Sequence, residues 1–236
     1  MNATRSFTAG LRCAGFLGLA LAPREAAADV FELSLGVVAQ GGIEGQPEPS
    51  PNRYTLLRSG AEVEEPAYTS FGYGAGIAIE ARVLEVVALG AEALYMSDGL
   101  TGTVIHDGQE VTLSLRQPAL HVPLYAKGIW PLPVIAPFAL VGVELVLPGL
   151  STVEVEPAGA HAAVASAESH TLLLLGAGVE TEWNSLRLQA GLRFALQLGA
   201  SSALDDRVTV LPSDAVVRDA SPSYQAMLAL GASYVF

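Results

Sequence analysis

Ser221-Pro-Ser-Tyr-Gln-Ala-Met-Leu-Ala-Leu-Gly-Ala-Ser-Tyr-Val-Phe236 decides the fold. Counting back from the end, Phe236, Tyr234, Ala232, Leu230, Leu228, Ala226 and Tyr224 are apolar or aromatic. The interleaved Val235, Ser233, Gly231, Ala229, Met227 and Gln225 are mostly small or polar. A period of two puts these sets on opposite faces of one strand. With aromatics at both ends, the first set reads as a face turned to hydrocarbon.

The same alternation recurs upstream. It predicts strands over Val30–Gln40, Phe71–Arg82, Val86–Met96, Val111–Trp130, Val134–Val146, Ser169–Trp183 and Leu186–Leu198. In the fourth of these, Gln117-Pro118 shifts the phase, as a bulge would. The gaps alternate long and short. Gly41–Ser70, Ser97–Glu110, Leu147–Glu168 and Gly199–Ala220 are long, with Asp-Gly turns at Asp98-Gly99 and Asp107-Gly108. The connections near Val83–Glu85, Trp130–Pro133 and Asn184-Ser185 are tight. Eight strands with that asymmetry predict an all-β fold, an eight-stranded antiparallel up-and-down transmembrane β-barrel with long loops outside and short turns inside.

Composition agrees. The chain is 51% hydrophobic and 15% charged, with a mean hydropathy of +0.41. The long apolar run Gly128–Val143 contains Pro131, Pro133 and Pro137 and is too short for a spanning helix. A closed barrel is the other way to satisfy a backbone in lipid. Residues 1–28 read as a secretory signal: Arg5 and Arg12, an apolar Ala14–Ala22, then Ala26-Ala27-Ala28. The barrel domain then occupies 29–236. Cys13 lies inside the signal and lacks the small preceding residues of a lipid anchor, so the mature chain is expected to be free of thiol chemistry. The signal carries three arginines and one glutamate, net +2, so its removal takes the charge from −12 to −14. That charge repels polyanions and argues against nucleic acid as a partner.

Periodicity alone also fits a soluble β-sandwich or lipocalin-like barrel with the apolar face inward. Three features favour lipid outside. No charge falls on the apolar face of the clearly phased strands. The opposite face is Gly, Ala, Ser and Gln with sparse charges, as suits a narrow filled lumen. Aromatics gather near strand ends at Tyr95, Trp130, Trp183, Tyr224, Tyr234 and Phe236.

The lumen-facing charges are then Glu32, Glu80, Arg82, Glu92, Lys127, Glu144, Glu180, Glu182, Arg187 and Arg193. Isolated charges there are costly, so they are expected to pair, either as a structural plug or as a gate whose broken pairs open a water path. His121 and Glu144 fall at similar height on facing strands. Such a pair acts as a general base only with a nucleophile, and no serine stands two residues from His121. A buried, satisfied histidine is the plainer expectation. Loop acids, among them Glu44, Glu65 and Asp98, read as a solvated cap, with no ordered spacing for a metal and no phosphate-binding loop. Neither metal nor cofactor is expected.

The stretches Leu120-His-Val-Pro-Leu-Tyr-Ala-Lys127, Ala136-Pro-Phe-Ala-Leu-Val-Gly-Val-Glu144, Gly176-Ala-Gly-Val-Glu180 and Tyr234-Val-Phe236 carry a resemblance. The whole mature chain resembles the small bacterial outer-membrane barrels of the OmpA-transmembrane, OmpX and OmpW-like group. The resemblance implies a monomer in the outer membrane of a Gram-negative bacterium, surrounded by lipid and lipopolysaccharide. It also implies that Tyr234 and Phe236 on the closing strand are read by the barrel-assembly machinery. Members of the group serve as envelope anchors, surface-attachment proteins or conduits for small hydrophobic molecules. The chain stops at its barrel, so a peptidoglycan-binding second domain is not implied.

Overall fold

The computed structural model describes residues 31–156 and 163–236; the signal and Cys13 lie outside them. Eight antiparallel strands form the wall: β1 (Phe31–Gln46), β2 (Tyr68–Val83), β3 (Val87–His106), β4 (Gln109–Ile129), β5 (Ala136–Pro148), β6 (His170–Trp183), β7 (Leu186–Gln197) and β8 (Tyr224–Val235). Each pairs with its neighbours in sequence, and β1 pairs with β8, so the sheet closes. One hydrogen-bonded row shows the geometry. Starting at Ser34, it passes Glu80, Gly90, Tyr125, Gly142, Leu174, Ala195 and Gln225, and returns to β1 at Glu44, ten residues above its start. That stagger tilts the strands by about 40° to the axis.

Across the band around the barrel's waist the outward residues are apolar and largely exposed. Along β1 they run from Phe31 through Leu33, Leu35 and Val37 to Ile43. The 12 steps from Phe31 to Ile43 span about 40 Å along the strand, or about 30 Å along the axis at that tilt, near the hydrocarbon thickness. Phe31, Trp130, Trp183 and Phe236 rim one end of this band; Phe71, Tyr73 and Tyr95 rim the other. Leu89, Ile77, Val141, Leu192 and Leu230 are all exposed between them. A surface of this extent is stable only against acyl chains, which makes this a transmembrane barrel. The tightest turns at the Trp end, Leu84–Val86 and Asn184-Ser185, place Leu84, Glu85 and Asn184 in the left-handed region.

At the other end the structure departs from the sequence-based expectation. The four predicted long loops carry strands of their own. Residues 53–55 and 62–64 form a hairpin that joins the top of β3, and 152–156 joins the top of β4. With β3 and β4 they make a five-stranded sheet above the barrel. A second sheet of 163–166, 216–219 and 208–210 lies over its inner face. Leu56, Val63, Tyr68, Leu100, Val104, Leu113, Leu115, Leu204, Val208 and Val216 form the core between the two. The loops are therefore a folded cap on the barrel mouth.

Two local expectations are corrected. Asp98-Gly99 is not a turn but part of β3; the hairpin turns at Asp107-Gly108, where both residues have positive φ. Nor is there a bulge at Gln117-Pro118. The β3–β4 pairing keeps one register from Val87↔Gly128 to His106↔Gln109. The phase change comes from the solvent. Below Pro118 the apolar residues of β4 (Leu120, Leu124) face lipid, whereas above it Val111, Leu113 and Leu115 face the cap core. Water surrounds the upper part, so the apolar side turns inward there.

Candidate functional site

The lumen holds the charges that the exterior lacks, stacked in three tiers. The lowest gathers Glu32 from β1, Glu80 and Arg82 from β2, Lys127 from β4, Glu180 and Glu182 from β6 and Arg187 from β7. Lys127 Nζ lies 2.5 Å from Glu80 Oε2 and 3.0 Å from Glu180 Oε2, and 5.0 Å from the centre of the Phe138 ring. Arg82 pairs with Glu180, with its Nη2 3.5 Å from Glu80. Arg187 binds Glu32 and, at 2.8 Å, Glu182. Each cation thus meets at least two carboxylates, which offsets the cost of removing it from water.

In the middle tier Arg193 of β7 and Glu92 of β3 meet two-on-two, at 2.6 and 2.7 Å. A planar guanidinium matches a carboxylate in this way. The Tyr125 ring lies 5.9 Å from the guanidinium and fills space that Gly90 leaves open; a Cβ at Gly90 would overlap that ring. Gly90→Ala is expected to cost about 1–3 kcal/mol through overpacking, read as a lower urea midpoint for refolded protein in vesicles.

The upper tier sits at the barrel rim. His121 of β4 is fully buried, with Nε2 2.9 Å from Asp98 Oδ2 and Nδ1 bonded to Glu144 of β5. Glu44 of β1 accepts the Gly99 backbone N–H. Gly72 leaves room for its carboxylate, which would clash with any added Cβ. The structure thus brings the two members of the predicted histidine pair together, and adds Asp98 and Glu44. Both had been placed in solvated loops, as had Glu65, and all three are buried. Their parity marks them: Asp98 shares the inward set of β3 with Leu94 and Met96, and Glu44 that of β1 with Ser34 and Gln40.

Both imidazole nitrogens face carboxylates, so neither is left to activate a nucleophile. No group of three or more His, Cys, Asp or Glu among the described residues has metal-binding geometry.

A further buried pair lies in the cap. Arg218 Nε donates to Glu65 at 2.9 Å and its Nη2 to the Tyr54 hydroxyl at 3.1 Å; Tyr68 also donates to Glu65. Although burial disfavours its charge, the Glu65 carboxylate holds Arg218 above the usual arginine range. Burial and the neighbouring Glu65 push the Tyr68 hydroxyl up. Arg207 and Arg218, both within the predicted loop Gly199–Ala220, are therefore structural. Arg207 caps backbone carbonyls, with its Nε 2.8 Å from Ser201 O.

Between the tiers apolar side chains fill the lumen. Leu172, Leu174, Phe138, Leu140 and Val146 pack on the β5–β7 side, and Val38, Leu94, Met96 and Met227 opposite. The voids beside Glu80 and Arg187, and beside Gln189 and Arg193, have room for about one water each.

No family model matches the chain, and no curated protein does. Among solved structures it is similar to Ail, the attachment invasion locus protein of Yersinia pestis, in complex with the heparin analogue sucrose octasulfate. Identity is 11%, over 87% of this chain and 97% of that one, with a TM-score of 0.39. It is also similar to the N-terminal β-barrel domain of Pseudomonas aeruginosa OprF, at 12% identity over 86% and 97%, with a TM-score of 0.38. At this level of likeness the fold rests on the closed register and the burial pattern.

Proposed function

We propose that the chain is a non-enzymatic, integral outer-membrane β-barrel protein of a Gram-negative envelope, with a side-chain-filled lumen and a folded cap as its working surface. One observation carries this: apolar side chains cover the wall, while the charged side chains of the spanning strands point inward and are bonded there. Residues 1–28 would direct export and be removed before insertion into the outer membrane. Lipid and lipopolysaccharide would surround a monomer, and the assembly machinery would read the closing strand through Tyr234 and Phe236. Those two rings meet edge to face at 5.1 Å, and the Phe236 N–H donates to Leu33 O, which ties the terminus into the wall. A structural or surface-interaction role fits better than a conduit, because ion-pair tiers and apolar packing fill the lumen. It fits better than lipid-modifying chemistry, because His121 points away from lipid with both nitrogens occupied.

Refolding into phospholipid vesicles tests this. The expected result is heat-modifiable gel migration, which reports an intact barrel, with no swelling of the vesicles in small sugars. Reproducible solute flux would replace the plugged lumen with the conduit reading, while failure to insert would remove the membrane assignment altogether.

A further inference from the structure

The upper tier has more carboxyl groups than its bonding can support. Glu44, Asp98 and Glu144 face one histidine. With ionised carboxylates at both nitrogens, His121 is satisfied as an imidazolium that donates from each. Three ionised carboxyls against that one cation leave a net charge of −2 in a site closed to water. From the neighbouring strands, Arg193 of β7 reaches Glu144 electrostatically but is already committed to Glu92 of β3. Tyr125 of β4 lies beside that same glutamate, β8 offers the neutral Gln225 and β6 only Leu172 and Leu174. Two buried oxygens, Glu44 Oε2 and Asp98 Oδ1, have no hydrogen-bond partner among the described residues. One added proton between the two carboxyls removes a negative charge and supplies the missing donor.

We propose that Glu44 and Asp98 share a bound proton, and that this proton latches the cap to the barrel rim. The inference rests on the barrel being membrane-embedded, as proposed above. The latch sits where it has leverage. Glu44 follows Ile43, the last lipid-facing residue of β1, and its other oxygen holds the Gly99 N–H. Asp98 lies where β3 leaves the membrane band and enters the cap sheet. With the proton in place, Glu44, Asp98, His121 and Glu144 form one bonded row from β1 across β3 and β4 to β5. Without it, two carboxylates repel each other at the rim, and the Gly99 contact is the first to loosen.

Infrared spectroscopy and amide hydrogen exchange on vesicle-inserted protein test this, with heat-modifiable migration confirming insertion first. The expected result is a protonated-carboxyl band at neutral pH that is lost in Glu44→Gln and in Asp98→Asn. Exchange protection over residues 97–101, corrected for intrinsic rates, should fall at least about tenfold between about pH 6 and pH 9 in the wild-type protein. In Glu44→Gln, where the amide supplies a permanent donor, protection should stay flat. Absence of the band, a band unchanged in both variants, or protection with the same pH dependence in wild type and Glu44→Gln would each overturn the latch. Should Glu44→Gln fail to insert, Asp98→Asn carries the same comparison. Failure of the wild-type protein to insert would instead count against the membrane assignment on which the latch rests.

Discussion

Arg193→Met should destabilise the inserted barrel by about 3–5 kcal/mol. The substitution keeps much of the side-chain volume and removes both hydrogen bonds to Glu92, whose carboxylate is buried at mid-height with Tyr125 beside it. Either the charge stays and goes uncompensated, or a proton must be taken up to neutralise it; both are costly. The double variant Glu92→Met with Arg193→Met should regain most of the loss, since a buried pair replaced by apolar groups of similar size is often neutral or better. Urea unfolding in vesicles, followed by the fluorescence of Trp130 and Trp183, measures all three proteins. A single variant that loses less than about 1 kcal/mol would mean that water reaches this tier and that the lumen is not sealed.

The second large effect compares two leucines of one strand. Leu113 and Leu124 both lie in β4, but Leu113 is fully buried in the cap core and Leu124 is 43% exposed on the wall. Leu113→Ala should cost the cap about 2–5 kcal/mol. Leu124→Ala should cost little, because lipid fills the space, whereas Leu124→Arg should cost about 2–4 kcal/mol near the middle of the membrane. Limited proteolysis of the cap reads the first, and the yield of inserted barrel reads the other two. Both tryptophans sit at the far turns, so fluorescence should miss the Leu113 effect. A Leu113→Ala cap as protease-resistant as wild type would contradict the two-sheet cap core.

The barrel was legible in the sequence because lipid imposes one rule on all eight strands: apolar side chains occupy every second position. Leu186, Leu188, Ala190, Leu192, Phe194, Leu196 and Leu198 show it without interruption. The cap was not legible, because the same period there carries the opposite meaning. Leu113 and Leu115 alternate just as Leu120 and Leu124 do, and the change of side looks like a shift of phase. Segments as short as 53–55 and 208–210 have too few residues to show a period at all, and gain their pairing only from the strands they meet. Among the charges, those within the clean strands were placed by parity. Asp98 was lost because Asp-Gly is the commonest sign of a turn, and Glu44 because β1 runs six residues beyond the apparent strand, through glycines that carry no hydropathy signal.

The row that leaves β1 at Ser34 and comes home at Glu44 limits how such a chain can change length. Side chains alternate, so the offset around the circuit has to be even for inside to meet inside where the ends join. One residue added to or deleted from the spanning part of any strand makes it odd, and with no free edge the mismatch cannot be passed outward and lost. Length changes in this lineage should therefore collect in the turns and the cap hairpins, or arrive in the wall two at a time.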